Sequence, residues 1–171
     1  RASVEDTDAP TVDKRAATNH LGLAESWGVF AEDGLTAADL GQSEITVVDV
    51  AGLDSAPMNA VARGICEAVY RARVDRDIAR LPWVLLDEAH TFFDGVARSA
   101  LETILKRGRA PGVSLVMATQ RPSVVPEVAV SQSDILVSHR LTAEADLDAL
   151  EAARPTYMNA ALAERLPTAP R

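Results

Sequence analysis

The chain has 171 residues, 47% of them apolar, which is enough for one soluble domain with a hydrophobic core. Its 25 acidic residues outnumber its 17 basic ones, giving a net charge of −8, so a domain that binds DNA through a broad basic face is not expected. The single cysteine, Cys66, excludes an intrachain disulfide framework. Neither a signal-peptide pattern nor an apolar stretch of membrane-spanning length is present, so we expect a cytoplasmic protein without a membrane partner.

The sequence begins with a stretch of mixed charge that contains Pro10 and shows no clear period. Such a stretch favours irregular structure. We therefore expect residues 1–40 to form a poorly ordered or irregular lead-in and residues 41–171 to form the folded domain.

Apolar runs and amphipathic segments alternate from residue 45 onward. Apolar residues recur in steps of three and four from Met58 to Val69 and from Ala97 to Leu105, which predicts two helices. Thr142 is a suitable N-cap for a third helix reaching about Ala153, and a last helical piece is expected near Tyr157 to Leu166. Four apolar runs predict buried strands: "ITVVDV" (45–50), "WVLLDEAH" (83–90), "VSLVMATQ" (113–120) and "DILVSHR" (134–140).

Strands that are apolar along their length and alternate with helices are typical of parallel sheets covered on both faces. The predicted fold class is therefore α/β, a three-layer arrangement with a mostly parallel sheet between helices. Ligands of such sheets bind beyond the carboxyl ends of the strands. The polar residues at the predicted strand ends are Asp49, Asp87, Glu88, Thr119, Gln120 and Arg140.

The acidic pair that follows "WVLL" has two interpretations. Asp87 is suited to hold Mg²⁺, directly or through water, because this cation prefers carboxylate and water oxygens. Glu88 is then placed to orient and deprotonate a water that attacks a γ-phosphate. Alternatively, the strand simply ends in two solvated acids.

Two further segments also allow a functional and a structural interpretation. Gln120 can hydrogen-bond a γ-phosphate or the attacking water, or it can serve as a polar residue that starts the turn before Arg121. Arg107 and Arg109 can reach the nucleotide of a neighbouring subunit, or they can stabilise the end of a helix through its dipole.

The order of these segments resembles the HerA/FtsK branch of the RecA-like P-loop ATPases, and HerA-type DNA translocases most closely. The resemblance covers roughly residues 41–166. "WVLLDEAHTFF" looks like the Walker B strand of that family, and the stretch "KRGRAPGVSLVMATQRPSVV" is the most specific part. The resemblance implies ATP and Mg²⁺ as cofactors, Asp87 as the magnesium ligand, Glu88 as the catalytic base and Gln120 as the phosphate sensor.

The same resemblance implies roles for cationic residues and for partners. Arg109 or Arg107 would be an arginine finger acting in trans, and Arg140 would be a lesser phosphate-side residue. His90 would couple the nucleotide site to loops that contact DNA, although it can equally cap the turn after the strand. The family implies a homo-hexameric ring around DNA and a nuclease as a possible partner.

Two other classes of protein remain open. "DEAH" also occurs in a superfamily of helicases, and "MAT" (117–119) is near their Ser-Ala-Thr motif, but the continuation "QRP" fits the HerA/FtsK branch instead. A non-catalytic ATPase-like interaction domain is the third possibility.

One motif of the family is not found. A P-loop requires G-x-x-x-x-G-K-[ST], and neither Lys14 nor Lys106 follows a glycine. The family pattern would also continue with a further strand after Leu166. We therefore expect the chain to represent the second half of an incomplete ATPase core and to be inactive alone.

Overall fold

The computed structural model describes residues 4, 6–42, 44–152 and 167. About half of the described residues are helical, and two strands lie among them. In chain order the elements are α1 (Thr11–Ser26), α2 (Ala37–Gln42), α3 (Ser55–Val74), β1 (Trp83–Leu86), a 3₁₀ turn (Ala89–Phe92), α4 (Arg98–Arg107), β2 (Ser114–Met117), a second 3₁₀ turn (Pro122–Val124), α5 (Glu127–Ser131) and α6 (Glu144–Ala152). None of the helices in these ranges has both the length and the apolar character that crossing a bilayer requires.

The two strands are parallel, and α4 forms the crossover that parallel neighbours need. Their register pairs Trp83 with Ser114 and Leu86 with Met117. Backbone hydrogen bonds continue beyond the strands, because the Ala118 N–H donates to the Leu86 carbonyl at 2.9 Å. The two segments that follow β1 and β2 therefore leave the sheet side by side at its carboxyl end.

The core lies between one face of this sheet and the helices α3 and α4. Its buried members are Ala62, Cys66, Val69, Leu86, Ala89, Phe92, Phe93, Ala97, Ala100, Leu101, Ile104, Val113 and Ala129. Side chains alternate along a strand, so Val84 and Leu86 face this core. Trp83 and Leu85 point away from it and are 73% and 69% exposed. Helices thus cover the sheet on one face in the described residues.

The predicted three-layer RecA-like sheet is wrong, because the described residues form a two-stranded sheet. Residues 45–50 and 134–140 adopt no regular secondary structure. Their apolar side chains are largely exposed, with Ile45 at 83% and Ile135 at 80%. A β-branched apolar run becomes a strand only when a neighbour supplies ladder hydrogen bonds, and in the described residues neither segment has one.

The helix predictions were more successful. Helix α3 contains the apolar stripe from Met58 to Val69, α4 contains most of the stripe from Ala97 to Leu105, and α6 lies where the third helix was expected. Residues 1–40, expected to be irregular, include α1, in which no residue is buried. The helix predicted near Tyr157 to Leu166 lies outside the described residues.

Candidate functional site

The polar residues that follow β1 and β2 meet at the carboxyl end of the sheet. The Ala89 N–H donates to the Ala118 carbonyl at 2.9 Å, which ties the two exit segments together. Glu88 immediately precedes Ala89, and Gln120 lies two residues after Ala118. The Gln120 Nε2 donates to the Glu88 Oε1 at 2.8 Å. The proximity expected from parallel strands is therefore observed.

Glu88 lies in a turn whose backbone conformation is held by several hydrogen bonds. Its backbone has φ 48° and ψ 45°, the left-handed conformation that costs a non-glycine residue about 1 kcal/mol or more. The Asp87 Oδ1 accepts its N–H at 2.9 Å. The Thr91 N–H and hydroxyl both donate to its carbonyl at 2.9 Å. These hydrogen bonds fix the direction in which the carboxylate leaves the sheet.

His90 and Thr119 complete the polar cluster around Glu88. The His90 Nδ1 lies 3.0 Å from the Thr119 Oγ1 and 3.4 Å from the Glu88 Oε2. The Arg121 N–H donates to the same Thr119 oxygen at 3.1 Å. A carboxylate can only accept, so its position favours a proton on Nδ1. The imidazole, 14% exposed, therefore presents a donor towards Glu88.

The two oxygens of the Glu88 carboxylate differ in environment. Oε1 accepts the Gln120 amide, whereas Oε2 is buried and has no hydrogen-bond partner within the described part of the chain. The His90 ring nitrogen lies 3.4 Å from it. A buried carboxylate oxygen of this kind gains from any donor that approaches it.

Asp87 is exposed at the strand end, and its Oδ1 is occupied by the Glu88 N–H. Magnesium in phosphate sites often uses one or two carboxylates together with waters and phosphate oxygens, so one exposed aspartate fits such a role. The described residues contain no group of three or more His, Cys, Asp or Glu side chains that could hold a metal by themselves. Asp49 does not join the cluster as a strand end, since its Oδ1 accepts the Ala51 N–H at 2.8 Å in an exposed turn.

None of the cationic candidates forms a hydrogen bond or ion pair with this cluster in the part of the chain that the structure describes. Arg107 ends α4 and Arg109 follows it, so both precede β2 and lie at the amino end of the sheet, whereas Glu88 follows the carboxyl end of β1. Arg140 is exposed in the irregular segment after Asp134, and no hydrogen bond joins it to Gln120 among the described residues. The structure brings together Glu88 and Gln120, with Asp87 beside them in sequence.

Sequence reasoning missed Asn59 and underrated Thr119. Asn59 lies on α3, is 2% exposed, and its Nδ2 donates to the Thr91 carbonyl at 3.3 Å. It therefore supports the turn that holds Glu88 from the core side. The sequence did offer a signal for Asn59, because it lies in the same helical stripe as Ala62 and Cys66. A polar side chain buried in such a stripe needs a hydrogen-bond partner.

No protein-family model matches this chain, and no curated protein is significantly similar to it in sequence.

Proposed function

We propose that this chain supplies the water-activating part of an ATP-hydrolysing site in a protein of the HerA-type DNA-translocating class. The observation that supports this most directly is the 2.8 Å contact between Glu88 and Gln120 beyond the carboxyl ends of two parallel strands. A carboxylate and an amide at one sheet edge are the groups needed to activate a water and to sense a phosphate.

The residues divide the work of hydrolysis. Glu88 orients a water and accepts its proton as the water oxygen bonds to the γ-phosphorus and the bond to the ADP oxygen breaks. Gln120 donates a hydrogen bond to the γ-phosphate. Asp87 would hold Mg²⁺ directly or through water, which would supply neutralisation of the phosphate charge. Arg140 contributes a weaker contact on the phosphate side.

The phosphate-binding loop must come from other polypeptide, because these 171 residues contain no G-x-x-x-x-G-K-[ST] motif. Without a nest of backbone N–H donors and a P-loop lysine, the two acids that follow β1, Asp87 and Glu88, repel a triphosphate. The negative net charge likewise places DNA contacts on other segments. Assembly as a homo-hexamer in the cytoplasm, with a nuclease as partner, belongs to the same proposal.

A specific observation favours a second function, that of a non-catalytic interaction domain. Trp83 and Leu85 are exposed on the face of the sheet that no helix covers in the described ranges. Exposed apolar surface of this kind is typical of protein interfaces. If the full-length gene product contains no P-loop sequence, the non-catalytic function is the correct one.

Calorimetry and steady-state hydrolysis test the proposal. Mg·ATP added to the 171-residue chain should give no micromolar binding. The full-length gene product should hydrolyse ATP, and Glu88→Gln should lower kcat by about 10²–10⁴-fold while nucleotide binding persists. Glu67→Gln, on α3 in a pair with Arg63 and away from the site, is the matched control and should keep normal turnover. Unchanged kcat in Glu88→Gln would remove Glu88 from the base role.

A further inference from the structure

The Glu88–Gln120 hydrogen bond occupies both groups that hydrolysis requires. The Oε1 that must accept a proton from water already accepts the Gln120 amide, and that amide is the donor a γ-phosphate would need. We propose that this pair is a closed, resting arrangement of the site that a phosphoryl group opens by drawing the Gln120 amide away from Glu88. This inference rests on the function proposed above and adds a regulatory step to it.

Gln120 is the partner that moves. It lies after the end of β2 in an irregular segment, and its side chain is exposed. Glu88, by contrast, is held through its N–H by Asp87 and through its carbonyl by Thr91. Opening therefore requires rotation of one exposed glutamine side chain and leaves the turn at Glu88 in place.

His90 determines which carboxylate oxygen is released. Its Nδ1 lies 3.4 Å from the buried Oε2 of Glu88, and the Thr119 hydroxyl fixes the imidazole at 3.0 Å. Departure of Gln120 thus leaves Oε2 facing the imidazole and frees Oε1 to accept a water proton. His90 and Thr119 are positioning residues in this scheme.

A primary amide has two hydrogens, so Gln120 could in principle bridge Glu88 and a phosphate. Such a bridge would hold two anionic oxygens about 5 Å apart on one donor, where their repulsion is only partly screened. The γ-phosphate carries the larger negative charge, so the amide leaves the carboxylate. Phosphate binding and release of the base are then a single event.

The closed pair can be tested in the 171-residue chain without nucleotide. In a side-chain amide ¹H–¹⁵N spectrum, one Gln120 proton should be shifted from the position of a solvated amide, for which the exposed Gln132 serves as internal reference. Glu88→Gly should return it to that position, and Glu88→Gln should retain part of the shift. Glycine is chosen because it favours the left-handed backbone at this site. A Gln120 resonance indifferent to both substitutions would reject the closed pair.

Opening by phosphate is tested in the full-length gene product with Mg²⁺, comparing Kd for the non-hydrolysable triphosphate AMP-PNP and for ADP. Glu88→Gly should raise the preference for AMP-PNP over ADP by about tenfold, because the phosphate no longer competes for the amide. Glu88→Gln removes the charge but keeps an acceptor, so its preference should rise less. Gln120→Leu should lose the preference. Equal ratios in all four proteins would overturn the proposal.

The two measurements separate this inference from the proposed function. A gene product that binds neither nucleotide would reject the proposed function and the phosphate-driven opening together, while the spectrum still decides whether the pair exists. Hydrolysis without any effect of Glu88 on the Gln120 resonance would reject the pair and leave the base role of Glu88 standing.

Discussion

Asn59 is a polar residue within the hydrophobic core, and it connects α3 to the turn that carries Glu88. Its Nδ2 donates to the Ser55 carbonyl at 3.0 Å and to the Thr91 carbonyl at 3.3 Å. Thr91 in turn donates to the Glu88 carbonyl. The position of the carboxylate therefore depends on a buried amide that never touches it.

Gly95 is the close neighbour that makes this amide fit. A methyl group at Gly95 would collide with the side-chain amide of Asn59. We expect Gly95→Ala to reduce the free energy of unfolding by about 1–3 kcal/mol, because the packed amide cannot move without losing its carbonyl partner. Urea unfolding followed by circular dichroism measures this.

A double-mutant cycle shows whether the two residues are coupled. Asn59→Ala removes the atoms that the methyl group would strike, so Gly95→Ala should cost at least about 0.5 kcal/mol less in that background. Gly64→Ala is the control, because Gly64 lies on α3 with no heavy atom near an added methyl and should be neutral or stabilising. Additive losses at Asn59 and Gly95 would contradict the packing account.

The buried thiol of Cys66 makes the free energy of unfolding depend on pH in the alkaline range. Burial raises the pKa of its thiol from 9.0 to about 11, and the neighbouring Glu67 charge adds to the rise. Above pH 9 the unfolded chain loses this proton while the folded chain keeps it, so stability falls as pH rises from 9 towards 11. The expected loss is about 2–3 kcal/mol over that window. Unfolding free energies of wild type and Cys66→Ala should converge with rising pH, and parallel profiles would refute this.

At the level of elements, the sequence predicts those segments whose local pattern decides their structure. Helices α3 and α4 carry apolar stripes and were found where expected. Strands β1 and β2 form because the α4 crossover sets them side by side. The runs at 45–50 and 134–140 have the same composition as strands, but in the described residues they lack a neighbour to pair with. The composition of a segment does not determine whether a neighbouring strand is available to pair with it.

In the candidate site, likewise, some features could be predicted from the sequence and others could not. The meeting of Glu88 with Gln120 follows from two parallel strands with polar ends, which is a topological inference. The left-handed turn at Glu88 and the His90–Thr119 contact depend on individual dihedral angles and side-chain packing. Helix α1 was missed because none of its residues is buried and its sequence shows no amphipathic stripe.

The end of α3 offers a prediction at this scale. The Asp77 N–H donates to the Ala72 carbonyl at 2.8 Å and the Arg76 N–H to the Arg73 carbonyl at 3.4 Å, a Schellman motif with Arg76 at φ 64°. Arg76→Gly should raise the free energy of unfolding by about 0.5–1 kcal/mol, because glycine adopts this conformation without a Cβ clash. Arg76→Ala should give no such gain. Thermal unfolding of the three proteins decides the matter, and equal effects of Gly and Ala would contradict it.

For the whole molecule, the direction of the strands separates the acidic and cationic candidates. Arg107 and Arg109 precede β2, while Glu88 follows β1, so a four-residue sheet of about 13 Å lies between the two groups. An arginine at the amino end cannot serve the carboxyl-end site of its own chain. If either arginine acts in the proposed hydrolysis, it must act on a neighbouring subunit.

Mixed assemblies of the full-length gene product test this consequence. Arg109→Ala and Glu88→Gln should each be inactive, but a 1:1 mixture should recover about a quarter of the wild-type sites, because a subunit with intact Glu88 meets a neighbour with intact Arg109 at random. Mixing Arg109→Ala with the Glu88→Gln/Arg109→Ala double variant is the matched control and should recover nothing. The same pair of mixtures built on Arg107→Ala identifies which arginine acts. Absence of recovery with both arginines would exclude a trans role for them and leave their placement at the helix end as a dipole interaction alone.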